Sequence, residues 1–156
     1  AVEEASMVIS LIEKYDVDYP VFLDSESAGG SGRADWLEAD ERTKVHKAFL
    51  ETISAAGYET GVYGSRNWLN EQVNMKDLSD YKTWLAEYAE VPQYDAYYHM
   101  WQYTSKGTVD GIDTDVDLNL SYMNIDTSIN HAKGAEGYSG VIDGDSGNVP
   151  VGSDDE

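Results

Sequence analysis

Pro20-Val21-Phe22-Leu23-Asp24-Ser25-Glu26 is a short apolar run that stops abruptly at two carboxylates two positions apart. Alternate residues of an extended strand share a face and lie about 6.6 Å apart along the chain, so Asp24 and Glu26 occupy one rim. Two acids on one rim repel each other unless one keeps its proton, and a protonated acid beside an ionised one is the pairing that cleaves glycosidic bonds. A strand end dissolving into a solvated acidic turn is the plainer reading of the same residues, because acids are mostly found at surfaces.

Working outward, Glu3 to Tyr15 sets Ala5, Val8, Ile9 and Ile12 at helical spacing, with Glu3 and Glu4 in the first turn where the helix dipole favours acids. This amphipathic helix feeds the strand Pro20 to Asp24, which opens into the loop Ser27 to Gly32. A second helix is expected from Glu38 to Ala56, with Val45, Phe49 and Ile53 on one face and Gly57 as its stop. The strand Tyr58 to Tyr63 follows, then a short helix capped by Ser65, a loop from Asn74 to Asp80, and apolar segments at Thr83 to Tyr88 and Tyr98 to Tyr103. Helix and strand in alternation indicate an α/β fold with parallel strands. In barrels of that kind the chemistry sits at the carboxyl ends of the strands, where Asp24 and Glu26 fall. Residues 125–156 carry many glycines and end in Asp154-Asp155-Glu156; they read as an acidic tail or linker behind a domain of residues 1–124.

Composition narrows the function. The chain has 156 residues, the length of one ordinary domain, with 30 acidic and 10 basic side chains and a formal charge of −20. That charge repels a nucleic-acid backbone and an anionic membrane surface, and no run reaches the ~18 apolar residues of a membrane helix. The absence of cysteine leaves neither a disulfide framework nor a thiolate nucleophile. Twelve tyrosines and four tryptophans against two phenylalanines favour surfaces that stack sugar rings or bases. His46, His99 and His131 show no ligand-like spacing, and Asp110, Asp113, Asp115 and Asp117 lack the in-register glycine and closing glutamate of a calcium loop. No metal site is expected from these spacings.

Five blocks carry a family likeness: Tyr19 to Glu26, Ala56 to Tyr63, Trp84 to Tyr88, Met100 to Ser105, and Gly111 to Asp113 with Val116 to Asn119. In that order, over roughly Glu3 to Tyr122, the chain resembles the glycoside hydrolase family 25 lysozymes, the muramidases that include many phage endolysins and secreted bacterial cell-wall hydrolases. The resemblance implies an irregular TIM-like β/α barrel acting outside the cell or in the cell wall, without a cofactor. Its implied reaction is cleavage of the β-1,4 bond between N-acetylmuramic acid and N-acetylglucosamine in the glycan strands of peptidoglycan. Glu26 matches the acid that protonates the leaving oxygen, with its pKa held up by Asp24 and partial burial. Asp24 matches its ionised partner, and the family favours retention through the substrate's own acetamide.

The same resemblance implies substrate contacts from Tyr63, Trp84, Tyr88, Trp101, Gln102, Tyr103 and Asp117. For the aromatics the alternative is a place in the core, and for Asp117 a structural or exposed strand-end charge. Gln102 lies between Trp101 and Tyr103, so strand alternation sets it on the opposite face from both, in the groove or in a buried polar contact.

Family members begin with a first strand that carries a further catalytic Asp, and no such segment precedes Ala1. The expectation is therefore an incomplete C-terminal portion of the barrel, joined to a longer chain or completed by an N-terminal fragment or second chain. Two other readings compete with this one. A family 18 chitinase-like barrel needs another Asp two positions before the pair, where Phe22 stands. A non-catalytic glycan-binding module would keep the aromatic groove without turnover.

Overall fold

The computed structural model describes residues 1–123. The expected tail 125–156, the boundary at 124 and His131 lie outside the described residues. Helix α1 (Val2–Ile12) precedes strand β1 (Val21–Asp24), then come α2 (Ala39–Ala55), β2 (Thr60–Ser65), α3 (Arg66–Glu71), a 3₁₀ turn at Met75–Leu78, and strands β3 (Lys82–Ala86), β4 (Met100–Gly107) and β5 (Val116–Ser121). The five strands form one curled sheet in the order β1-β2-β3-β4-β5. Strands β1 to β4 run parallel, as the sequence suggests, whereas β5 pairs antiparallel with β4. The result is half of an irregular TIM-like barrel, with its helices on one side of the sheet and a concave face on the other.

Local chemistry sets the helix ends. Ser65 Oγ accepts the Trp68 backbone N–H at 3.3 Å, which caps α3. Gly57 adopts φ +93° just past α2, a conformation that L side chains rarely take, and its N–H donates to Ser54 O. The helix-facing side of the sheet holds Val62, Leu85 and Trp101 against Phe49, Leu50 and Ile53 of α2. Val21 and Leu23 of β1 pack on the same cluster. Alternation therefore turns Phe22 and Asp24 to the concave face.

Gly61 stands beside Phe22 in the β1–β2 register. A Cβ there would sit 2.5 Å from the Lys82 carbonyl oxygen and 2.6 Å from the Phe22 ring. The first of these is backbone and does not yield. Gly61→Ala is expected to destabilise the fold by about 1–3 kcal/mol, read as a lower midpoint in urea unfolding; an unchanged midpoint would contradict this packing.

Candidate active site

Each strand delivers one or two side chains to the concave face. Strand β1 presents Phe22 and Asp24, with Glu26 two residues beyond, and β2 presents Tyr63 opposite Asp24 in the parallel register. Trp84 lies beside Tyr63 on β3, and Gln102 lies beside Ala86 on β4. Asp117 comes from β5 and Tyr88 from the segment after β3. These eight residues, Ala86 excepted, line one open groove of about 460 Å³. A second cavity of about 420 Å³ continues past Glu26, Tyr63 and Tyr88 toward Ser27, Ser65 and Trp68.

The groove floor is a hydrogen-bonded aromatic layer. Gln102, 4% exposed, accepts on Oε1 from the Tyr63 hydroxyl at 3.0 Å and the Tyr88 hydroxyl at 2.8 Å. Both alternatives left open for Gln102 are thus met by one side chain, which lines the groove and makes a buried polar contact. Trp84 stands edge-to-face with Phe22 (centroids 5.3 Å) and Tyr63 (4.9 Å), and its indole N–H donates to Asn119 Oδ1 at 2.8 Å. These contacts fix the ring of Trp84 at the groove wall, a geometry suited to packing on a sugar face.

The electrostatics converge on Tyr63. Its hydroxyl pKa is pushed up to about 12, chiefly by burial, then by Tyr88 and by the negative charges of Asp24, Glu26 and Asp117. Three carboxylates from β1, the residues just after it, and β5 therefore act on one point. Burial, and secondarily the Glu26 charge, raises the pKa of Asp24 above the ordinary carboxylate value. Both side chains remain exposed, Asp24 at the end of β1 as well as Glu26. The partial burial expected for the proton donor is not supplied by the described residues, and it is Asp24 whose surroundings favour the neutral form.

Two expected substrate contacts lie elsewhere. Trp101 is buried in the helix-side core, where its indole N–H donates to Glu87 O at 2.8 Å, and Tyr103 packs against the same cluster. Strand alternation separates both from Gln102, so for these two aromatics the core alternative applies. Phe22 and Asn119 were not singled out from the sequence, yet Phe22 precedes Asp24 by two and Asn119 follows Asp117 by two. The same alternation that paired the acids assigns both to the groove face.

Of the remaining histidines, His46 is buried against Ser25, while His99 accepts the Thr83 backbone N–H on Nδ1 at 3.1 Å. Among the described residues no group of three or more acidic or histidine side chains is placed to hold a metal ion. No helix among them is long and apolar enough to cross a membrane.

The sequence model described as Glycosyl hydrolases family 25 matches residues 1–112. Among curated proteins, no sequence matches. The modular autolysin LytC from Streptococcus pneumoniae superposes with a TM-score of 0.66 at 29% identity, covering 76% of this chain and 30% of that one. The LytC structure in complex with a synthetic peptidoglycan ligand matches at 28% identity over the same shares, again with a TM-score of 0.66. A family 25 glycosyl hydrolase from Bacillus anthracis shares the fold at 20% identity, with a TM-score of 0.64 over 78% of this chain and 58% of its own. The chain thus spans less than two thirds of each neighbour's length.

Proposed function

This chain belongs to glycosyl hydrolase family 25, and we propose that it forms the acid-bearing wall of a muramidase that cleaves the β-1,4 bond between N-acetylmuramic acid and N-acetylglucosamine in peptidoglycan. The observation that carries the reading is the convergence of Asp24, Glu26 and Asp117 on Tyr63 within one aromatic-lined groove. Glu26 protonates the glycosidic oxygen as the bond to the anomeric carbon breaks. Asp24 orients the acetamido group of the muramic residue, whose carbonyl oxygen closes on the anomeric carbon. Water then opens that intermediate with Glu26 as base, and the configuration is retained. Tyr63, Trp84, Tyr88, Gln102 and Asp117 hold the glycan strand along the groove. The ligand-bound LytC neighbour supports a glycan occupant. Action on walls places the protein outside the cell or at the cell wall.

β1 is the terminal strand of the sheet, so its outer edge has no strand partner among the described residues. An unpaired edge recruits another strand. We infer that strands added there, from the same chain or from a second one, close the barrel and supply the opposite wall of the groove. The half-barrel alone is then expected to bind glycan more readily than it cleaves it; the unpaired edge of β1 is the observation that favours a pure binding module.

Affinity for peptidoglycan fragments and release of reducing ends, measured on the same samples, separate the readings. With the barrel completed, the muramidase reading expects both. Affinity without reducing ends from the completed barrel would make the protein a glycan-binding module.

A further inference from the structure

Ser25 stands between the two acids and faces the other way. From Val21 to Glu41 it is the single buried residue, at 4% exposure, and it adds a side-chain anchor where the β1–β2 ladder ends, between Asp24 and Glu26. Its Oγ accepts the indole N–H of Trp68 at 2.8 Å and lies 3.2 Å from Nε2 of His46. The indole can only donate, so Oγ accepts from Trp68, while the bond between Oγ and Nε2 runs in either direction according to the imidazole tautomer. Three elements thereby meet at one hydroxyl: the end of β1, the middle of α2 and the first turn of α3.

The partners are themselves held. Arg42, one helical turn before His46, is 1% exposed and lies 4.7 Å over the Trp68 ring. Its guanidinium donates to the Gln72 and Ala34 carbonyl oxygens at 2.9 Å, fastening α2 to the loop before it and to the end of α3. Burial, with the Arg42 charge second, lowers the His46 pKa to about 4, so the ring is neutral at neutral pH. Beyond Ser25 the chain runs into Gly29, Gly30 and Gly32. Asp35 braces that loop by accepting the Ala28, Gly30 and Gly32 backbone N–H groups, which leaves Ser25 as the side-chain hold nearest Glu26.

We propose that Ser25, His46 and Trp68 form a positioning lock that holds the Asp24 and Glu26 carboxyl groups toward the groove. The lock rests on the reading of that groove as the acid site, yet it acts on carboxyl placement whether or not turnover follows. The three residues are positioning residues and touch no substrate.

The test is carboxyl-carbon NMR of Asp24 and Glu26 through a pH titration of the full chain, with amide exchange at Glu26 and Ser27 recorded alongside. Ser25→Ala is expected to move at least one carboxyl midpoint by about half a pH unit and to speed exchange at Glu26 roughly tenfold. His46→Leu should do the same, while His46→Gln, which keeps a hydrogen-bonding side chain, should stay close to the wild type. If His46→Leu does not fold, the smaller Ser25→Ala change decides. A folded Ser25→Ala protein with both midpoints and the exchange unchanged would overturn the lock. Moved midpoints in a protein that releases no reducing ends would sustain the lock and remove only the muramidase reading.

Discussion

Glu26→Gln is expected to lower peptidoglycan turnover by about 10²- to 10⁴-fold in the completed barrel, with glycan affinity kept. The substitution preserves size and hydrogen bonding and removes only the transferable proton. Glu26 is exposed, and no described hydrogen bond or ion pair of the fold passes through it. Stability should therefore stay within about 0.5 kcal/mol of the wild type, the usual range for surface substitutions. Loss of rate then belongs to chemistry and not to unfolding. A Glu26→Gln protein that clears a wall suspension at near wild-type rate would move the acid role elsewhere, with Asp24 the first candidate because its surroundings already raise its pKa.

Acid is expected to weaken the fold through His46. Its pKa falls from 6.5 to about 4 on folding. Between those values the unfolded chain binds the proton and the folded chain does not, so stability drops as pH falls. The slope is roughly 1.4 kcal/mol per pH unit, about 3 kcal/mol in all by the low end of the window. Asp24 works in the opposite sense: its raised pKa favours the protonated folded form, adding stability as pH falls toward its folded pKa and below. Asp35 has a lowered pKa, chiefly from the backbone N–H of Ala28, and its contribution is lost only below the ordinary carboxylate value of 3.8. His99, whose pKa burial also lowers, acts in the same sense as His46, so the window above pH 4 is set by both histidines against Asp24, with His46 the one that substitution isolates. Urea midpoints measured from pH 7 to pH 4 should fall more steeply for the wild type than for His46→Gln. Parallel curves for the two proteins would contradict the assignment.

Much of this architecture is legible in the residues themselves. The apolar run ending at Asp24 reads as a strand, the spacing of Phe49 and Ile53 as a helix within a residue of its observed ends, and Ser65 as a cap, because each signal is local. Strand β5 escaped assignment since its alternation of Val116, Leu118 and Leu120 with polar residues is short, and a parallel pattern offers no cue for a strand that turns back. Alternation correctly opposed Gln102 to Trp101 and Tyr103, but a strand buried on both faces does not declare which side meets substrate. The Ser25–His46–Trp68 contacts span 21 and 43 residues along the chain, and nothing in the local pattern around Arg42 marks it as buried. Such contacts arise from packing three elements together, which only the assembled sheet and helices reveal.

The most direct measurement is the identity of the sugar at each new reducing end when peptidoglycan is digested by the barrel-complete protein, reduced, and hydrolysed to its amino sugars. Reduced N-acetylmuramic acid, present with the wild type and absent with Glu26→Gln, is the predicted result. Reduced N-acetylglucosamine instead, or digestion without new reducing ends, would contradict it.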